Sequence, residues 1–179
     1  MRLRPQFAAI LATLPLLAAA PAFAAQPTQA QMVQELYDRQ MILELMAAYG
    51  FAMDAADGAA FAKLFTDDGV LIAGGGEAFR GKAELTRLGA SAGNRLALTG
   101  PPPKPIRPIH HKFSNVSMDI KGNTASIKAY WIVVNGSTGT PVNQSMGYYL
   151  DKAVKRDGRW IYTERRIINE VLNIKPPGK

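Results

Sequence analysis

Residues 109–134 read IHHKFSNVSMDI, then KGN, then TASIKAYWIVV, and this stretch decides the fold. Two long runs rich in β-branched and aromatic side chains flank a tight Lys121-Gly122-Asn123 turn, the signature of a β-hairpin. The pattern recurs downstream, where Gln144 to Lys155 and Trp160 to Leu172 read as strands around the turn Arg156-Asp157-Gly158. Upstream the period changes. Val33, Leu36, Tyr37, Ile42, Leu45, Met46, Tyr49 and Met53 form one apolar stripe, predicting a helix from about Met32 to Ala56. Asp57 is placed to cap a second helix, with Phe61, Leu64 and Phe65 on its inner face. Thr66-Asp67-Asp68-Gly69 reads as a turn, Val70-Leu71-Ile72 as a short strand, and Gly81 to Leu88 as a third helix. Gly89 to Pro108 is expected as loop, with Pro101-Pro102-Pro103, Pro105 and Pro108 at its end. Loops of such length in compact domains are often functional lids. Helices first and an antiparallel meander second predict an α+β domain, its helices packed on one face of a curved sheet.

The first residues carry an address. Arg2 and Arg4 precede an apolar run from Ala8 to Ala20, and Ala22-Phe23-Ala24 is a small-x-small cleavage site. That order is expected of a Sec-type signal peptide over 1–24, cut after Ala24, which places the protein in the periplasm or outside the cell. The run is shorter than the roughly 20 residues of a membrane span, so no stable membrane anchor is expected. Residues 25–31 are polar and expected to be disordered, 32–172 form one domain, and 173–179 are a tail. Losing Arg2 and Arg4 lowers the formal charge of +7 by two, to +5. The remaining basic residues are scattered without a dense run, so no nucleic-acid partner is expected. With no cysteine in the chain, disulfides, thiolate metal sites and cysteine nucleophiles are excluded. Its two histidines, His110 and His111, are adjacent, a poor basis for a metal site.

The segments Ile42-Leu43-Glu44-Leu45 through Asp54, Phe65-Thr66-Asp67-Asp68-Gly69, His111-Lys112-Phe113-Ser114-Asn115-Val116, Gly147-Tyr148-Tyr149-Leu150-Asp151 and Arg156-Asp157-Gly158-Arg159-Trp160 with Arg165 occur in that order. Together they resemble the SnoaL-like branch of the nuclear transport factor 2-like superfamily. The resemblance spans about Met32 to Val171. It implies a cone-shaped fold, a curved and mainly antiparallel sheet wrapped on about three helices around one apolar pocket. The branch includes bile-acid dehydratases, scytalone dehydratase, lindane dehydrochlorinase and polyketide cyclases, and also the largely structural small subunit of ring-hydroxylating dioxygenases. The enzymes among them perform elimination, isomerisation or ring closure on hydrophobic substrates without a cofactor.

Asp54 lies at the C-terminal end of the first helix, an unfavourable place for an anion in the helix dipole. It reads either as a solvated carboxylate or as a buried base-orienter, and the branch's catalytic aspartate falls on this position. Adjacent histidines on a strand point to opposite faces: His111 with Ile109, Phe113 and Asn115, His110 with Lys112 and Ser114. The family's general-base histidine stands four residues before an asparagine, which selects His111. An Asp54–His111 pair would fix one tautomer and stabilise the charged ring. Tyr49, five residues before Asp54, matches a tyrosine of the bile-acid dehydratases, and is equally readable as a core aromatic. The branch also often carries a cavity arginine five residues after a tryptophan, which favours Arg165 over Arg166; strand alternation does not separate them. Phe65, Phe113, Asn115, Trp131, Met146 and Tyr149 are the expected pocket residues. The resemblance therefore implies a cofactor- and metal-free lyase or isomerase, dehydratase-like, acting on a hydrophobic alicyclic or polycyclic small molecule. The alternatives are a non-catalytic binder of an apolar ligand and an assembly subunit. A homodimer or homotrimer is expected under each.

Overall fold

The computed structural model describes residues 26–95, 109–136 and 139–172. The expected leader over 1–24, the proline-rich segment 101–108 and the tail 173–179 lie outside the described residues. The elements run α1 (Gln29–Asp54), α2 (Gly58–Lys63), β1 (Phe65–Ile72), β2 (Ala78–Arg80), α3 (Gly81–Arg95), β3 (Ile109–Lys121), β4 (Thr124–Asn135), β5 (Val142–Arg156) and β6 (Arg159–Leu172). The strands form one sheet ordered β2-β1-β6-β5-β4-β3. Neighbours are antiparallel except β1 and β6, which run parallel. This is the expected α+β architecture, with α1 packed on β3 and β6 and α3 on β1.

Alternation builds the meander. Along β4, Ala125, Ile127, Ala129, Trp131, Val133 and Asn135 are buried while the residues between them are less covered, the period of a sheet with one covered face. Opposite them, Ile42, Met46 and Tyr49 of α1, with Phe61 and Leu85, complete the core. The hairpin turns differ in chemistry. Asp157 and Gly158 both take positive φ, as a type I′ turn demands, while at the β3–β4 turn Gly122 does so. Register shifts interrupt the ladders between Ser114 and Ser117, Val133 and Val134, Met146 and Gly147, and Lys152 and Ala153. Such bulges bend and twist strands, which curves the sheet over the helices.

Several local expectations change. The helix starts at Gln29, so residues 29–31 are ordered helix rather than disordered. The reason is a capping box, in which Thr28 Oγ1 accepts the Gln31 N–H (3.2 Å) and Gln31 Oε1 accepts the Thr28 N–H (2.7 Å). The apolar stripe is covered only from Asp38 onward, and Val33, Leu36 and Tyr37 in the first turns of α1 are exposed. Phe65 and the expected turn at 66–69 fall inside β1, whose register against β6 jumps between Phe65 and Val70. The three-residue strand β2 had no periodic signal. Finally, α3 runs on to Arg95, through Gly89, because that glycine serves close packing: a Cβ there would lie 2.7 Å from Phe61 Cβ.

Asp38 pins α1 to the last hairpin. Its carboxylate accepts Trp160 Nε1 (2.8 Å) and Gln34 Nε2 (3.1 Å) and pairs with Lys155 Nζ (2.7 Å). Burial pushes the Asp38 carboxyl up, but the hydrogen bonds from Lys155, Trp160 and Gln34 outweigh it and hold it below its ordinary value.

Candidate active site at the end of the first helix

The strand order leaves β3 at the sheet edge, and α1 ends against it. The two meet at Gly50, where a Cβ would lie 3.4 Å from the His111 carbonyl oxygen, an ordinary contact distance. Asp54, the last residue of α1, therefore meets the edge strand's main chain, and its Oδ1 accepts the His111 N–H at 3.0 Å. The same oxygen lies 2.6 Å from His111 Nδ1. Asp54 thus gains at the edge the donors that its own helix end cannot supply. The His111 side chain is 8 % exposed and that of Asp54 16 %. His110, on the strand's outer side, also reaches the carboxylate, with Nδ1 3.3 Å from Oδ2, while staying largely in solvent. Face alternation did not foresee that second contact, which arises because Asp54 sits at the edge itself.

Tyr49, one turn before the helix end, is buried and meets the His111 ring edge-on, with centroids 6.2 Å apart. Against the same ring lies Arg165, whose guanidinium carbon is 3.9 Å from the Tyr49 ring centroid, 4.1 Å from Tyr149 and 4.3 Å from Tyr162. Inside this cage Arg165 is fully buried. Its Nε and Nη2 bind the two oxygens of Asp151 at 2.9 and 2.6 Å, and Nη2 also donates to the Tyr162 hydroxyl at 2.8 Å. Desolvation works against the Arg165 cation, but Asp151 and the phenols hold its pKa well above the ordinary value. Burial pushes up the Asp151 carboxyl, against the pull of Arg165. Burial likewise raises the phenols of Tyr49, Tyr149 and Tyr162, so they remain protonated hydrogen-bond donors.

Arg165 faces inward and Arg166 outward for a reason that simple alternation misses. Lys152 pairs with Glu164 but Ala153 with Tyr162, so Thr163 is an extra residue. That bulge lets Tyr162 and Arg165, three apart, share the inner face. Sequence reasoning gave Asp151 no role; its place two residues from Tyr149 and Ala153, on the buried face of β5, was the available signal.

The expected pocket residues divide. Phe113 and Trp131 pair across β3 and β4 on the inner face, next to His111 opposite Val133. Tyr149 stacks on Trp131, with ring centroids 5.8 Å apart and planes at 24°. Phe65 is core, packed on Phe61 and Tyr162. Two expectations are corrected. Asn115 is exposed, with φ of 51° at the β3 bulge, which ends the His111–Phe113 alternation and turns Val116, Met118 and Ile120 inward instead. Met146 is 44 % exposed on the outer face, because Gly147 and Tyr149 take the inner one.

Fold and site together define a small α+β domain with an aspartate–histidine pair where helix and sheet edge meet. Residues 34–166 match the SnoaL-like domain family, and the chain belongs to it. Among solved structures, a protein of unknown function from Mycobacterium tuberculosis is 22 % identical, with TM-score 0.67 and coverage of 79 % of this chain and 77 % of that one. A candidate scytalone dehydratase from Novosphingobium aromaticivorans is 18 % identical (TM-score 0.65), covering 82 % and 93 % of the two chains. LinA is 15 % identical (TM-score 0.61), covering 78 % and 90 %. These likenesses show the nuclear transport factor 2-like fold. No curated protein matches the chain in sequence.

Proposed function

We propose that the protein is a cofactor-independent lyase or isomerase of the dehydratase kind. It would act on a hydrophobic alicyclic or polycyclic molecule that bears a hydroxyl or carbonyl group. The observation that carries this reading is the 2.6 Å contact between His111 Nδ1 and Asp54 Oδ1 at a buried ring. A carboxylate only accepts, so Nδ1 holds the proton and the neutral ring keeps its lone pair on Nε2. Among the described residues none hydrogen-bonds Nε2. His111 then takes a carbon-bound proton, and the negative charge of Asp54 stabilises the imidazolium. The electron pair left on carbon forms the double bond as the carbon–oxygen bond breaks, and the departing hydroxide recovers the proton from His111 as water. Tyr49, whose ring meets that of His111, is the phenol that this reading assigns to the substrate oxygen. The part of Arg165 is narrower, since Asp151 and Tyr162 occupy two of its nitrogens. The candidate scytalone dehydratase among the structural neighbours supports this class of reaction.

The test is a panel of hydroxylated and carbonyl-bearing decalins and tetralins, followed by mass for loss of water and by NMR for isomerisation. Wild-type turnover should fall about 10²–10⁴-fold in His111→Gln and Asp54→Asn, the usual range for a lost general base, while ligand binding persists. Binding without turnover in the wild type would instead support an apolar-ligand binding protein.

The mature protein in this proposal is an exported oligomer. Tyr130, Met146 and Leu150 leave apolar area open on the outer sheet face, which supports self-association there. A mature N-terminus at Ala25 and a dimer or trimer that dissociates in Tyr130→Glu are the expected results.

A further inference from the structure

The chain has two tryptophans, and both are buried. Trp160 satisfies its indole N–H on Asp38, at 2.8 Å. Trp131 Nε1 is buried without a hydrogen-bond partner among the described residues. A buried donor left unmade is costly, and folded proteins rarely keep one without a use. Water is a poor answer here. A trapped water needs two to four polar partners, whereas the indole stacks on the Tyr149 ring, lies against Gly147 and belongs to the register partner of Phe113. An apolar molecule that offers one acceptor atom suits those surroundings better.

Position gives the donor a meaning. His111 pairs with Val133 across β3 and β4, and Trp131 is the next inward residue along β4. Diagonal neighbours on one sheet face have backbones about 7–8 Å apart, so the indole, which leans over Gly147 and Tyr149, and the His111 ring belong to the same inner face. We infer that the Trp131 indole N–H is a substrate-positioning donor, which binds a carbonyl or hydroxyl oxygen of the molecule whose carbon faces His111. This deepens the proposed function and rests on it. Arg165 Nη1 is also buried and unpartnered among the described residues, but it stands inside the tyrosine cage on a guanidinium held by Asp151, whereas Trp131 is the diagonal neighbour of His111 on the inner face.

With two tryptophans, the ¹H–¹⁵N spectrum carries two indole signals, and the one missing in Trp131→Phe belongs to Trp131. The probes are 1-tetralone and tetralin, the same ring system with and without a carbonyl oxygen, added to the wild-type mature protein. The Trp131 indole proton should move downfield with 1-tetralone and not with tetralin, while the Trp160 signal stays in place. In Trp131→Phe, 1-tetralone should bind about 3- to 10-fold more weakly, the worth of one neutral hydrogen bond. A Trp131 signal that 1-tetralone leaves unmoved, or that tetralin moves equally far, overturns the inference even if Trp131→Phe fails to fold. The shift reports contact and not turnover, so this assignment can fail while the His111 variants still support the dyad, and the reverse.

Discussion

Removing Asp151 strands a cation. Arg165 is fully buried, and Asp151→Ala takes away the acceptors of its Nε and Nη2, leaving Tyr162 as its remaining hydrogen-bond partner. Breaking a buried pair from one side costs about 3–5 kcal/mol, because the remaining charge keeps its desolvation penalty. The three stacked rings compensate part of that, since desolvated cation–π contacts are worth about 2 kcal/mol or more, so the lower end, about 3 kcal/mol, is expected. In a domain of this size that lowers Tm by about 6–12 °C. Urea unfolding followed by circular dichroism should show a lower midpoint at unchanged slope. The double variant Asp151→Ala/Arg165→Met removes the charge and keeps a flexible thioether against the rings, and it should be more stable than Asp151→Ala alone. A loss under about 1 kcal/mol for Asp151→Ala, or a double variant whose losses simply add, would refute the view of this pair as a coupled buried unit.

Three further outcomes follow from the geometry. Gly50→Ala should fit, since the new methyl meets His111 at 3.4 Å, and should gain up to about 1 kcal/mol of helix propensity, read from the urea midpoint. Gly147→Ala should be destabilised by about 3 kcal/mol or more, because its Cβ would lie 1.9 Å from the Ile168 carbonyl oxygen, a main-chain atom that cannot swing away; the urea midpoint or loss of soluble protein reads it. The Asp38 carboxyl is held below its ordinary value, so its contribution is present above about pH 3.9, the unfolded value, and is lost as pH falls through the lower folded value. The stability gap between wild type and Lys155→Met should accordingly be wider at pH 7 than at pH 3.

Much of the fold was legible because hydrophobic period and turn chemistry are local. The β3–β4 and β5–β6 hairpins needed only their strand patterns and the turns at Gly122 and at Asp157-Gly158. The dyad was legible in part: Asp54 at a helix end and His111 on a strand could be paired only through the family spacing, since nothing local brings residues that far apart together. Two of the misreadings lie at bulges. The extra residue on β3 put Asn115 outside, and Thr163 made the alternation around Arg165 undecidable. Parity alone would have placed Met146 on the face opposite Tyr149, as the structure does. Asp151 escaped notice because an acidic residue among tyrosines makes sense only once its buried arginine is known. The contact of His110 with Asp54 depends on β3 being the sheet edge, which is a property of topology and not of any one segment.

The most direct test of the account is the protonation state of the His111 ring, read by ¹⁵N NMR. With His110→Gln in place, His111 is the one imidazole left in the chain. The neutral ring is expected to carry its proton on Nδ1, donated to Asp54, with Nε2 showing the shift of an unprotonated acceptor nitrogen. In Asp54→Asn this bias should be lost. A neutral ring that carries its proton on Nε2 in the wild-type dyad would contradict the account, because that nitrogen could then take no proton from a substrate.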